Sequence, residues 1–438
     1  MSIREVLGKQ LIIADGAMGT QLQEKGLSAR EVPIHWNITH PNEVREVHQA
    51  YLAAGARLIA ANTFGAHARA LVGTPYTVEE IVTAGVILAR EARDEQEDEA
   101  YIALDIGSLG ELLKPLGQIP FDEAIELYKE QITFGVAAGV DVILIETMID
   151  TYDLKAAVLA AQEISDLPLF ATVSIDEKGR LLNGADLACV CTLLEGLGVD
   201  ALGLNCGAGP QEAAEYVAQM RALTSMPLMM SPNAGLPVIE GGSIAYHTSP
   251  DEFAQQTKPL VAGGYLAVAG GCCGTTPAHI QALADVCKDM VPNTGGLIDI
   301  KKRRVSSYAS SLDLDPKETR IDRCIDTRTN EALAKSLAQG MFEHAIQEAF
   351  VAQDEGAEVV GVCVQSSEID EYVTLPALIE HMQTIIRLPL LVITADLGAL
   401  ERSLKVYNGC ALVDLSSFTS AQKEAAIAVA ARYGAVQI

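Results

Sequence analysis

The chain has 438 residues, 58 acidic and 31 basic, giving a formal net charge of −27 and a mean hydropathy of +0.21. So acidic a balance argues against nucleic acid or an anionic membrane as partner, and no apolar run is long enough to cross a bilayer. The length suits two domains, and nine scattered cysteines without a leading apolar signal segment predict a reducing cytoplasm.

Eight short apolar runs alternate with longer amphipathic stretches through the first part of the chain, at residues 11–14, 57–60, 101–104, 140–145, 169–173, 201–204, 227–230 and 266–269. Near-continuous hydrophobicity marks strands buried on both faces, and alternation with helices makes them parallel. Eight such units predict a (β/α)8 TIM barrel. Polar motifs follow the runs directly, at the strand C-termini where such a barrel carries its active site. Asp15-Gly16-Ala17-Met18-Gly19-Thr20 follows the first run, Asn62-Thr63-Phe64-Gly65 the second, Asp105-Ile106-Gly107-Ser108 the third and Glu146-Thr147 the fourth. Asn205-Cys206 follows the sixth, Pro232-Asn233-Ala234-Gly235 the seventh and Cys272-Cys273 the eighth.

A lone cysteine and a distant vicinal pair do not make a Cys-x-x-Cys redox site, and neighbouring cysteines fit disulfide geometry badly. The pattern suits three thiolates on one zinc ion, with the fourth tetrahedral position open. Ordinary reduced core cysteines are the competing reading, because free Cys is among the most buried residue types. Placement at the ends of strands six and eight favours the metal, since both loops reach one mouth.

The residues Asp15-Gly16-Ala17-Met18-Gly19-Thr20, Asn62-Thr63-Phe64-Gly65-Ala66, Glu146-Thr147-Met148, Gly203-Leu204-Asn205-Cys206, Pro232-Asn233-Ala234-Gly235-Leu236-Pro237 and Gly271-Cys272-Cys273-Gly274-Thr275-Thr276-Pro277 carry a family resemblance. Residues 1–297 resemble the homocysteine-binding barrel of cobalamin-dependent methionine synthase and of the related homocysteine S-methyltransferases. That resemblance implies Zn2+ held by Cys206, Cys272 and Cys273, with the homocysteine sulfur as exchangeable fourth ligand. It implies an enzyme that methylates homocysteine to methionine. Asp15 and Glu146 suit hydrogen bonds from a substrate ammonium, and in the related barrels the matching acidic positions contact homocysteine; backbone amides at the helix start Gly16-Ala17-Met18-Gly19 suit its carboxylate. Helix capping by Asp15 and a salt bridge of Glu146 within the barrel are the alternatives. Asn62, Asn205 and Asn233 are further candidates for substrate contact, although Asn62 and Asn233 equally suit the fixing of a loop. Two departures bear on substrate identity: Ala60-Ala61 precede Asn62 where the family has Glu-Thr, and Gly107-Ser108-Leu109-Gly110 replaces Gly-Pro-Thr-Gly.

Residues 298–316 read as a polar linker containing Lys301-Lys302-Arg303-Arg304. Residues 317–438 follow as a smaller α/β unit, with helical pattern at 332–356, 374–387, 399–407 and 420–433. Strand pattern falls at 358–362, 389–393, 411–414 and 435–438. This unit resembles half of a pterin-binding barrel, but its binding positions are altered: Glu318-Thr319-Arg320-Ile321-Asp322 stands where the family has Gly-Glu-Arg-Ile-Asn. Loss of several paired groups predicts that folate is not bound. The chain has no Asp-x-His-x-x-Gly cobalamin motif, so a methyl-corrinoid would ride on a partner protein; a small sulfonium or ammonium donor is the alternative. Open edges of a half barrel predict pairing, for instance in a homodimer.

Overall fold

The computed structural model describes the chain except residues 1, 29, 97–98, 241–242, 289 and 291–302. Contacts divide it into two compact units, Met1–Leu182 with Val199–Asp299, and Asn183–Gly198 with Ile300–Ile438.

The first unit contains an eight-stranded parallel sheet. Its members are β1 (Ile12–Ile13), β2 (Leu58–Ala60), β3 (Tyr101–Ile106), β4 (Val142–Met148), β5 (Leu169–Val173), β6 (Ala201–Asn205), β7 (Leu228–Ser231) and, after a hairpin of β8 (Val238–Glu240) with β9 (Ser243–Ala245), β10 (Val268–Ala269). The order is β1-β10-β7-β6-β5-β4-β3-β2, and a parallel bridge from Ala14 to Leu58 brings the two ends together. The sheet is therefore a TIM barrel, and each of its strands overlaps one of the eight apolar runs. Ile12, Leu58, Ala103, Val142, Leu144, Phe170, Ala201, Met229 and Val268 pack in its interior, where side chains from all strands fill the ring as a layered core. Local signals agree with the strand-helix alternation. Thr77 and Glu80 cap the helix Val78–Asp94 reciprocally, and the helix Phe121–Ala138 stops at Gly139.

In the second unit, β11 (Arg304–Ser306) pairs antiparallel with β12 (Ser311–Asp313). This hairpin lies within the stretch expected to be linker, of which residues 298–302 lie outside the described residues. Val305 is fully buried and Leu312 packs on the same cluster, so two apolar positions hidden in a polar context suffice to anchor it. Five parallel strands follow in sequence order: β13 (Ile321–Asp326), β14 (Val359–Cys363), β15 (Leu390–Ile393), β16 (Leu412–Asp414) and β17 (Val436–Gln437). The single helix expected over 332–356 is two helices, Glu331–Ala338 and Glu343–Asp354. Gly340 separates them at φ +72°, a left-handed conformation that ends a helix and that an L side chain adopts only with strain. Among the described residues no helix is long and apolar enough to cross a membrane.

Candidate active site

The C-terminal ends of the barrel strands surround a cavity of about 520 Å³. Leu144 and Met229 of the core form part of its lining, so the packed interior is also the floor of the cavity. Asp15, Gly16, Ala17, Met18, Asn62, Phe64, Asp105, Glu146, Thr147, Cys206, Cys272 and Cys273 line it as well. Among the described residues no Lys, Arg or His lines it.

The three cysteine sulfurs lie within 4.8 Å of one another. Cys206 Sγ is 3.8 Å from Cys273 Sγ, which is 4.0 Å from Cys272 Sγ. A tetrahedral zinc with Zn–S bonds of about 2.3 Å needs ligand sulfurs about 3.8 Å apart, so the donor set and its spacing both fit that ion. Backbone bonds hold the three loops in register. Cys206 N–H donates to Ser231 O (3.0 Å), Cys272 N–H to Pro232 O (2.8 Å) and Ala234 N–H to Cys273 O (3.0 Å). Asn233 joins this lattice through its own N–H, which donates to Ala208 O (2.9 Å); its buried side-chain Oδ1 has no protein partner, and the residue does not line the cavity.

Two residues here carry positive φ without being glycine, Cys206 at +56° and Thr147 at +57°. Such conformations cost about 1–3 kcal/mol each and persist only where the surroundings over-determine them. For Thr147, Asn205 supplies that constraint. Its Oδ1 accepts from Thr147 N–H (2.7 Å) and Thr172 Oγ1 (2.8 Å), and its Nδ2 donates to Thr147 Oγ1 (2.6 Å) while lying 4.0 Å from Cys272 Sγ. Asn205 thus locks the ends of β4, β5 and β6 together. Asn62 is committed in a similar way: its Nδ2 donates to Pro33 O (2.9 Å) and Asn37 Oδ1 (2.8 Å).

The loop at residues 15–19 packs closely on the cysteine loop. A Cβ on Gly16 would lie 2.6 Å from Thr275 Oγ1 and 2.9 Å from the Tyr51 ring, so only glycine fits. The N–H of Ala17 donates to Thr275 Oγ1 (3.1 Å), and Thr275 Oγ1 donates to Cys272 O (2.7 Å). Met18 and Gly19, in the first turn of the helix Met18–Glu24, have amides without an acceptor inside that helix.

Burial and mutual repulsion dominate the electrostatics. Asp15 sits well above the usual carboxylate range, mainly through burial, although its Oδ2 accepts from Ala60 N–H at 2.9 Å. Asp105 is raised likewise, by burial and then by Glu146 and Asp15. Glu146 is pushed up to about 7 by burial and then by Cys206. Among the thiols, Cys273 is lowered because the Cys206 and Cys272 thiols and the Tyr246 hydroxyl donate to it, and Cys272 is raised in return. Without a cation, then, the three sulfurs share their protons; a metal that replaces those protons relieves the conflict. Sequence reasoning singled out Asp105 only as part of a strand-end motif and missed Tyr246, which follows β9 and whose hydroxyl meets Cys273.

An α/β barrel with three convergent thiols above its core defines a barrel with a candidate metal centre at its strand ends. Residues 12–287 match the family model described as homocysteine S-methyltransferase, and the chain belongs to that family. Methionine synthase from Mycobacterium tuberculosis is 30% identical over 437 residues, covering 93% of this chain, and methionine synthase from Mycobacterium leprae is 29% identical over 434 residues, covering 94%. The chain spans 36% of the length of each. The metallated form of the homocysteine methyltransferase MmuM from Escherichia coli superposes with TM-score 0.54 at 22% identity, over 63% of this chain and 96% of that one, which supports the barrel fold.

Proposed function

We propose that this protein transfers a methyl group to the thiol of homocysteine, forming methionine, with Zn2+ held by Cys206, Cys272 and Cys273. The observation that carries this reading is the trio of sulfurs within 4.8 Å of one another at the mouth of a cavity lined by carboxylates. When bound, zinc would supply Lewis acidity that removes the proton of a ligating thiol, so that no general base is needed. The chain's own residues bind and orient the amino acid. Asp15 and Glu146 accept from its ammonium, the amides of Met18 and Gly19 face its carboxylate, and Asn205 fixes the loop bearing Cys206. In the transfer a bond forms between homocysteine sulfur and the methyl carbon, the methyl–donor bond breaks, and the thiol proton leaves.

The donor in this reading is a methyl-corrinoid carried outside these 438 residues. Exposed apolar side chains around the barrel mouth support docking of a protein: Phe64, Leu182, Leu236, Ile239 and Ile244 all lie on strand-to-helix connections. Residues 317–438 form a truncated, pterin-binding-like unit that does not take folate. In support, Asp326 is tied to Arg328, Asp414 to Arg323 and Thr394 to Glu371, so these strand-end polar groups already have partners. The sheet in this unit ends at β13 and β17, and pairing of such edges between two copies would give a homodimer.

Calorimetric titration of the zinc-loaded protein with L-homocysteine and, separately, methyltetrahydrofolate tests this reading. Homocysteine binding without folate binding is the expected result, with Asp15→Asn or Glu146→Gln weakening it about tenfold while zinc is retained. Absence of homocysteine binding by the zinc-loaded protein would overturn it.

A further inference from the structure

We infer that Asp105 is a third ammonium-recognising carboxylate in the cavity, and that it makes the site selective for thiols bearing a free α-amino group. This inference rests on the proposed function and deepens it.

Asp105 ends the apolar part of β3 and is only 8% exposed, yet it lines the cavity. Its backbone is fixed on both sides of the peptide: its N–H donates to Thr63 Oγ1 (3.1 Å), and its carbonyl accepts from Thr63 Oγ1 (2.8 Å) and Gln131 Nε2 (3.1 Å). The side chain is treated differently. Its Oδ1 is buried and has no hydrogen-bond partner in the protein. A buried carboxylate oxygen left unpaired is costly, and Asp105, unlike buried Asn233 and His48 whose unpaired side-chain atoms lie away from the cavity lining, is placed where a ligand in the cavity completes it.

The identity of that ligand group follows from what surrounds the oxygen. Asp15 and Glu146 line the same cavity and interact electrostatically with Asp105, and among the described residues none that lines it is basic. Three carboxylates facing one another without a cation call for one. A primary ammonium carries a single positive charge and three N–H donors, one for each carboxylate. Guanidinium or metal ligands fit less well, because the cysteine trio already occupies the metal position and the substrate must place its thiol there.

Two thiols that share carboxylate and chain length test the assignment, L-homocysteine and its des-amino analogue 4-mercaptobutanoate. Both are titrated into the zinc-loaded full chain, wild type and Asp105→Asn, with zinc content and melting temperature measured on the same samples. The wild type, which requires no altered residue to fold, is expected to bind homocysteine at least about tenfold more tightly than the analogue. Asp105→Asn is expected to lose about tenfold or more for homocysteine and to stay within about twofold for the analogue, with zinc and melting temperature unchanged. Equal loss for both thiols would mean that Asp105 only supports the fold. Unchanged homocysteine binding by the variant would overturn the role of Asp105 alone, and a wild type that binds neither thiol would overturn this inference together with the proposed function.

Discussion

At the scale of single residues the cysteines decide most. Their spacing in the sequence, one and then an adjacent pair, already argued against disulfides, and only the strand-end placement joined them into one site. Replacing Cys206, Cys272 or Cys273 by Ser removes one of three thiolates, and zinc content in each variant should fall to a small fraction of an equivalent with methyl transfer lost; a variant retaining both would show that its sulfur is no ligand. His48, in the helix Pro41–Ala53, is a residue that sequence reading passed over. It is fully buried, neither ring nitrogen has a protein partner, and burial lowers its pKa to about 4. A base with a depressed folded pKa stays neutral in the fold while the unfolded chain protonates, so stability is full above about pH 6.5 and falls as pH drops toward 4. Between pH 7 and pH 5 this group alone should cost on the order of 2 kcal/mol. His48→Leu should lose less stability than wild type over that interval in urea unfolding, and parallel losses would contradict the assignment.

At the scale of elements, the strands were legible and their connections were not. Eight apolar runs gave eight strands because parallel barrel strands are buried on both faces, a signal that composition carries directly. The break at Gly340 and the β11–β12 hairpin were missed because each depends on one or two residues: a left-handed glycine in one case, Val305 and Leu312 among polar neighbours in the other. The candidate site shows the same limit. Asp15, Glu146 and the cysteines lie where their motifs place them, whereas Asn205 proves to be a clamp between β4, β5 and β6, a role visible only once Thr147 and Thr172 stand beside it. Asn205→Ala removes three hydrogen bonds, two that hold Thr147 at positive φ and one to Thr172. The expected result is a loss of about 2–4 kcal/mol in unfolding free energy and about 10- to 100-fold weaker zinc binding. Wild-type stability and zinc affinity in this variant would mean that the positive-φ residues are held by other contacts.

For the molecule as a whole, a strongly acidic chain builds its site from further acidic groups: three thiols and three carboxylates, with no basic residue among the described ones lining the cavity. Such a site is at odds with itself until cations arrive, and the account assigns one to the metal and one to the substrate ammonium. Zinc should therefore stabilise the barrel, and chelation should lower its melting temperature while leaving the five-stranded unit's own core intact. The most direct test of the central claim is zinc-edge X-ray absorption of the purified protein before and after addition of L-homocysteine. The account predicts three sulfur neighbours at about 2.3 Å rising to four; a sulfur count that stays at three, or a first shell dominated by nitrogen and oxygen, would contradict it.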